Sequence, residues 1–154
     1  MRNVEIVDAV EKLAASAQNS TSLLAETVAL LARERAHYNW VGVYLLQGNE
    51  LFLGPYLGKP TAHTRIPLSQ GICGAAASSG ETLIVDDVNA DPRYLACSLE
   101  TRSEIVVPIK QAGQVLGEID IDSDQAAAFT RDDRVLLEAV ADILSEALIR
   151  PPVT

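Results

Sequence analysis

Two cysteines lie where the chain carries loop signals: Cys73 in Gln70-Gly71-Ile72-Cys73-Gly74, and Cys97 in Tyr94-Leu95-Ala96-Cys97-Ser98. Carboxylates follow, with Glu104 in Arg102-Ser103-Glu104 and a pair on alternate residues in Asp120-Ile121-Asp122. Thiols with acids point to redox or nucleophilic sulfur chemistry. A zinc site would want paired C-x-x-C or Cys/His clusters, and two Cys with two His (His37 and His63) do not supply that spacing. No metal and no cofactor is therefore expected. The competing reading of either Cys alone is a small buried hydrophobe.

The local setting of each residue sharpens these alternatives. Gly71 precedes an Ala-rich stretch predicted as a short helix over 72–79. A thiol near a helix start is acidified by the dipole, which favours Cys73 as an attacking thiolate. Asp120 and Asp122 share one face of a strand, because side chains alternate with period two. They repel unless a cation or a proton sits between them, or unless they are simply exposed to solvent. Trp40, the single Trp, and Tyr44 lie on one strand face and suit either a pocket wall or an ordinary core.

Elements that would position these residues follow from periodicity. Val4, Val7, Val10, Leu13 and Ala14 recur at helical spacing, and a second helix follows the polar break at Gln18-Asn19-Ser20-Thr21. A closing helix runs from about Thr130 to Leu148, opened by Thr130-Arg131-Asp132-Asp133, a capping box with Asp for the usual Glu. Between them lie a hairpin from Trp40 to Tyr56 and a short edge strand over 63–68 containing Pro67. A brief strand at 83–85 follows, and then a second hairpin from Glu104 to Asp122 turning at Gln111-Ala112-Gly113-Gln114. This order predicts one α+β domain over residues 1–154: an antiparallel sheet with the N- and C-terminal helices on one face. The long connection from Ile66 to Ser103 would cover the other face as a ligand-building segment.

Composition narrows the partners. The 154 residues carry a formal charge of -9, which opposes binding to nucleic acid or to an anionic membrane. No stretch is apolar for long enough to span a bilayer, and the acidic N-terminus lacks a signal peptide's apolar region. A cytoplasmic location is expected, where a transient disulfide is more plausible than a permanent one.

Several runs in order then carry a resemblance. Asn39-Trp40-Val41-Gly42-Val43-Tyr44, Gly54-Pro55-Tyr56-Leu57-Gly58-Lys59-Pro60, Thr64-Arg65-Ile66-Pro67 and Gly71-Ile72-Cys73-Gly74 resemble the GAF-domain family of free methionine-(R)-sulfoxide reductases. Leu95-Ala96-Cys97, Ser103-Glu104-Ile105-Val106-Val107-Pro108 and Asp120-Ile121-Asp122-Ser123 extend the likeness to about Thr130. The resemblance implies reduction of free methionine sulfoxide by thiols that thioredoxin or a small thiol regenerates, in a homodimer formed through the outer helices. It implies Cys97 as nucleophile, Cys73 as another family thiol, and Glu104, Asp120 and Asp122 as acids around the substrate. The chemistry of sulfoxide reduction then makes Glu104 the expected proton donor and Cys73 the expected resolver of the sulfenic acid. Asp120 and Asp122 would meet the substrate ammonium, while Trp40 and Tyr44 form an aromatic wall. His63 occupies the position of a third family Cys and is a candidate accessory proton relay. For the nucleophile, the helix-start argument favours Cys73 and the resemblance favours Cys97. A stand-alone small-ligand sensor and a non-catalytic thiol redox switch are the alternative functions.

Overall fold

The computed structural model describes residues 1–96 and 98–149. Helices α1 (Asn3–Ser16) and α2 (Ser20–Glu34) open the chain, followed by the hairpin of β1 (Trp40–Gln47) and β2 (Glu50–Leu57). A crossover then contains β3 (Arg65–Pro67), α3 (Gly71–Ser79), β4 (Leu83–Val85) and a 3-10 turn at Val88–Ala90. The second hairpin, β5 (Ser103–Gln111) and β6 (Gln114–Ser123), leads into α4 (Arg131–Ile149). The helices and hairpins form where apolar periodicity places them; the edge strand is shorter than its sequence pattern. Asn39 lies just before β1, and Asn19 caps α2 by accepting from the Ser22 amide at 2.8 Å.

The sheet is antiparallel throughout, in the order β3-β2-β1-β6-β5-β4. Pro67 sits on the edge strand, where its missing N–H costs no ladder bond. Ala112 and Gly113 both take positive φ, 53° and 80°, the backbone of a tight hairpin turn between β5 and β6.

Alternation along the strands divides the sheet into two apolar layers. Val41, Val43, Ile105, Val107, Ile119 and Ile121 face a core built with α1, α2 and α4. On the reverse face, Trp40, Tyr44 and Val106 pack under α3 with Ile72, Cys73, Ala76 and Ala77. The crossover therefore roofs the second face, as the length of the connection predicts. Gly74 lets α3 pack tightly on the segment that leads into it: a Cβ there would come within 2.8 Å of the Leu68 carbonyl oxygen. No helix among the described residues is long and apolar enough to cross a membrane.

The predicted cap of α4 is present and reaches further than a cap alone. The Asp133 carboxylate accepts from the Thr130 amide at 2.9 Å, and its other oxygen accepts a short hydrogen bond from the buried Tyr38 hydroxyl. One side chain thus joins the start of α4 to the segment entering β1. Replacing Asp133 by Ala removes both and leaves the Tyr38 hydroxyl buried without its acceptor. Urea unfolding should show a loss of about 2–4 kcal/mol, with Asp133→Asn losing less.

Candidate functional site

The register of three neighbouring strands assembles the site. Trp40 pairs with Asp122, which pairs with Glu104; Gly42 pairs with Asp120, which pairs with Val106; and Tyr44 pairs with Glu118. All these side chains project from the roofed face. Glu104, Asp120 and Asp122 are each 5% exposed, so the solvent-facing reading of the two aspartates is excluded. Glu118 is wholly buried beside them and was not singled out from sequence. Its signal was present: Glu118, Asp120 and Asp122 continue one period-two series.

Cys73 comes from the first turn of α3 and lies over this row, with its Sγ 3.2 Å from Asp120 Oδ2. Here the helix-start expectation fails. Burial pushes the Cys73 thiol well above its ordinary range, and the charges of Asp120, Glu118 and Glu104 push it further. A dipole at the end of one nine-residue helix cannot offset desolvation and several anions at once. Cys73 is held as a thiol, both a packed hydrophobe and a hydrogen-bond donor to the acids. Sequence spacing shows no metal-type cluster, and the fold adds a grouping that spacing cannot reveal. The fold gathers ligand atoms of Cys73, Glu104 and Asp120 within 4.8 Å of one another from residues far apart in the chain.

Burial raises all four carboxyls of the row. Glu104 is raised well above its ordinary value, first by burial and then by the charges of Asp120 and Asp122. Glu118 and Asp122 are raised by burial and by Asp120. Asp120 is raised by burial, while its hydrogen bonds from Glu104 and Cys73 pull it back. Among the described residues, no ion pair reaches any of the four. Protons must therefore occupy the row, or a cation must enter it.

Aromatic side chains close one end. Trp40 stacks on Tyr56 with centroids 5.5 Å apart and donates from Nε1 to the Lys59 carbonyl at 3.1 Å. Gly42 is required beneath it, since a Cβ there would meet Trp40 Cη2 at 2.4 Å. The Tyr44 hydroxyl donates to the His63 carbonyl at 2.8 Å, and His63 Nε2 lies 3.1 Å from the Ala96 carbonyl. The structure thus brings Trp40, Tyr44, Cys73, Glu104, Asp120 and Asp122 to one face, with His63 on the segment above Tyr44. Cys97 lies outside the described residues. A cavity of about 50 Å³ opens beside Trp40 and Asp122, between residues 59–61 and 98–101, with an exposed Lys59–Glu100 ion pair at its mouth.

With this geometry in place, comparison with known proteins is decisive for family. The GAF domain model matches residues 20–148. The chain belongs to the GAF domain family. The free methionine-R-sulfoxide reductase of Saccharomyces cerevisiae is 42% identical to this GAF domain over 135 residues, covering 85% of this chain and 73% of the relative. GAF domain-containing protein A of Dictyostelium discoideum is 39% identical, covering 88% of this chain and 85% of its own. Among solved structures, the free methionine-R-sulfoxide reductase of Neisseria meningitidis in complex with its substrate superposes with a TM-score of 0.90 at 37% identity. It covers 95% of this chain and 87% of that one.

Burial of Glu118 carries a consequence for stability. Its folded pKa is raised above the ordinary 4.5, so it binds its proton more tightly in the folded state. The stability it contributes is full below that ordinary value and is lost as pH rises through the raised one. Glu118→Gln cannot ionise. Denaturant unfolding should find it more stable than the native chain at about pH 8 and little changed at about pH 5. An unaltered slope of stability against pH would remove Glu118 from the titrating row.

Proposed function

We propose that this GAF domain reduces free methionine-R-sulfoxide to methionine. The observation that carries the proposal is the roofed carboxylate row with a thiol donating into it, in a chain closely similar to reductases of that name.

The Asp120–Asp122 pair meets the substrate ammonium, which supplies the positive charge this face otherwise lacks. A peptide nitrogen carries no such charge, so the pair selects the free amino acid. Trp40 and Tyr44 receive the S-methyl end through sulfur–aromatic contact. Cys97 attacks the sulfoxide sulfur as thiolate, and Glu104, kept protonated by burial and by its anionic neighbours, delivers a proton to the departing oxygen. Cys97 thiol and sulfoxide become Cys97 sulfenic acid and thioether, with the oxygen passing to the cysteine sulfur. The Cys73 thiol then displaces that oxygen as water, forming a Cys73–Cys97 disulfide. Thioredoxin or a small dithiol restores both thiols and is itself oxidised. His63 assists proton movement near residue 96. The assembly is a homodimer through the outer helices.

Entry of an amino acid requires the 59–61 and 98–101 segments to part, because the cavity between them is far smaller than the roughly 300 Å³ of an ordinary ligand pocket. Disulfide closure likewise requires the two Cα atoms to come within about 7 Å.

Each epimer of methionine sulfoxide, free and N-acetylated, should be incubated with the chain and dithiothreitol. The free R-epimer is reduced; the S-epimer and the N-acetylated forms are not. Turnover of the N-acetylated R-epimer at the same rate would discard the ammonium role of Asp120 and Asp122, and no turnover of either epimer would favour a ligand sensor. Glu104→Gln should lose most of kcat, by about a hundredfold, with less effect on KM. Cys73→Ser should release one methionine per site, with a sulfenic adduct on Cys97 by mass spectrometry. It should then stall with thioredoxin while continuing with small thiols. An adduct on Cys73 in the native chain, with an inert Cys73→Ser, would reverse the two roles.

A further inference from the structure

The thiol and two of the acids present more than a substrate surface. Cys73 from α3, Glu104 from β5 and Asp120 from β6 place one ligand atom each within 4.8 Å of the others, all three buried. A tetrahedral ion with bonds of about 2.0–2.3 Å holds its ligand atoms roughly 3.3–3.8 Å apart. Cys73 Sγ and Asp120 Oδ2 already stand 3.2 Å apart, and a Glu104 oxygen lies within 4.8 Å of both.

A second observation points the same way. Among the described residues, Asp120 Oδ1 and Asp122 Oδ1 are buried without a hydrogen-bond partner, and the wholly buried Glu118 carboxylate has only the Cys73 thiol to meet it. Glu118 is 0% exposed and the two aspartates 5%. Glu118 lies one step along the same face from Asp120. Once the row is ionised its acceptors outnumber its donors, a distribution that suits a bound cation.

We propose that the reduced protein binds a borderline-soft divalent cation, zinc, through Cys73, Glu104 and Asp120, and that this reversibly inhibits it. The donor set fixes the class of ion. A thiolate ligand disfavours magnesium and calcium, while two carboxylates disfavour a monovalent soft ion such as copper(I). Thiolate and two carboxylates place three negative charges around two positive ones, and Glu118 or water takes the fourth position. Binding releases the Cys73 proton and those held by the two carboxylates to solvent. A metal-bound Cys73 cannot condense with a sulfenic acid, and carboxylates engaged by the ion cannot take up an ammonium.

Cobalt(II) titrated without oxygen into the full reduced chain reports ligation through a sulfur-to-cobalt charge-transfer band. The native chain and Cys97→Ser should each saturate at a single equivalent, and zinc should bleach the band. Cys73→Ser should lack it, and Asp120→Asn or Glu104→Gln should weaken binding by about tenfold or more. Circular dichroism checks the fold of each variant. The native and Cys97→Ser chains alter no proposed ligand, so a poorly folded Cys73→Ser leaves the decision with them. Absence of the band in the native chain, or a band lost in Cys97→Ser and retained in Cys73→Ser, overturns the proposal. The binding readout is independent of turnover. Metal binding without sulfoxide reduction upholds the site and overturns the inhibition, and reduction without the band upholds only the catalytic reading. Where both occur, zinc should suppress reduction and a chelator should restore it; turnover unaffected by saturating zinc overturns the inhibition.

Discussion

Four carboxylates and a thiol share one roofed face of this sheet, and among the described residues no basic side chain pairs with the acids. Desolvation is the first cause of every raised carboxyl pKa in the row, and for Glu104, Glu118 and Asp122 repulsion from Asp120 comes second. The roof is what creates it. Without α3 and its small residues pressed against the sheet, water would screen these charges and the group would be an ordinary acidic surface. The chemistry of the site is therefore inseparable from the packing of a helix only nine residues long.

The opposite face bears the cost of holding such a group. Its aliphatic layer against α1, α2 and α4 supplies the burial that makes the domain stable. The same strands carry both layers, so Ile119 and Ile121 anchor the backbone from which Asp120 and Asp122 project. Asp133 extends that anchoring by joining the start of α4 to Tyr38, two residues before Trp40. A rigid apolar layer behind the site is what allows like charges to be kept close.

Much of this was legible in the sequence because it depends on period. The two N-terminal helices, both hairpins, the capping box at Thr130 and the shared face of Asp120 and Asp122 are local patterns, and each has its counterpart in the structure. The ordered motifs carried the family and the grouping of Trp40, Tyr44, Cys73 and Glu104. What local pattern could not reveal was depth. The helix start at Gly71 suggested an acidified thiol, but burial and acids brought from β5 and β6 reverse the direction for Cys73. In sequence, Glu118 is a glutamate beside an isoleucine near a turn, a setting that reads as surface. Only the crossover arching over it makes it part of the site. Cys97 is outside the described residues, so its place in the cycle rests on chemistry and resemblance.

Consider finally the pairing of Trp40, Asp122 and Glu104 straight across three strands. Such a row exists only while the ladder keeps its frame. Insertion of a single residue within β6 would turn Asp120 and Asp122 toward the aliphatic layer and bring isoleucines beneath Cys73, a change unfavourable on both faces at once. Point substitutions alter the row one group at a time, whereas an unabsorbed insertion or deletion beside it moves every member together. Variation in length should be confined to turns such as Ala112-Gly113 and to the crossover.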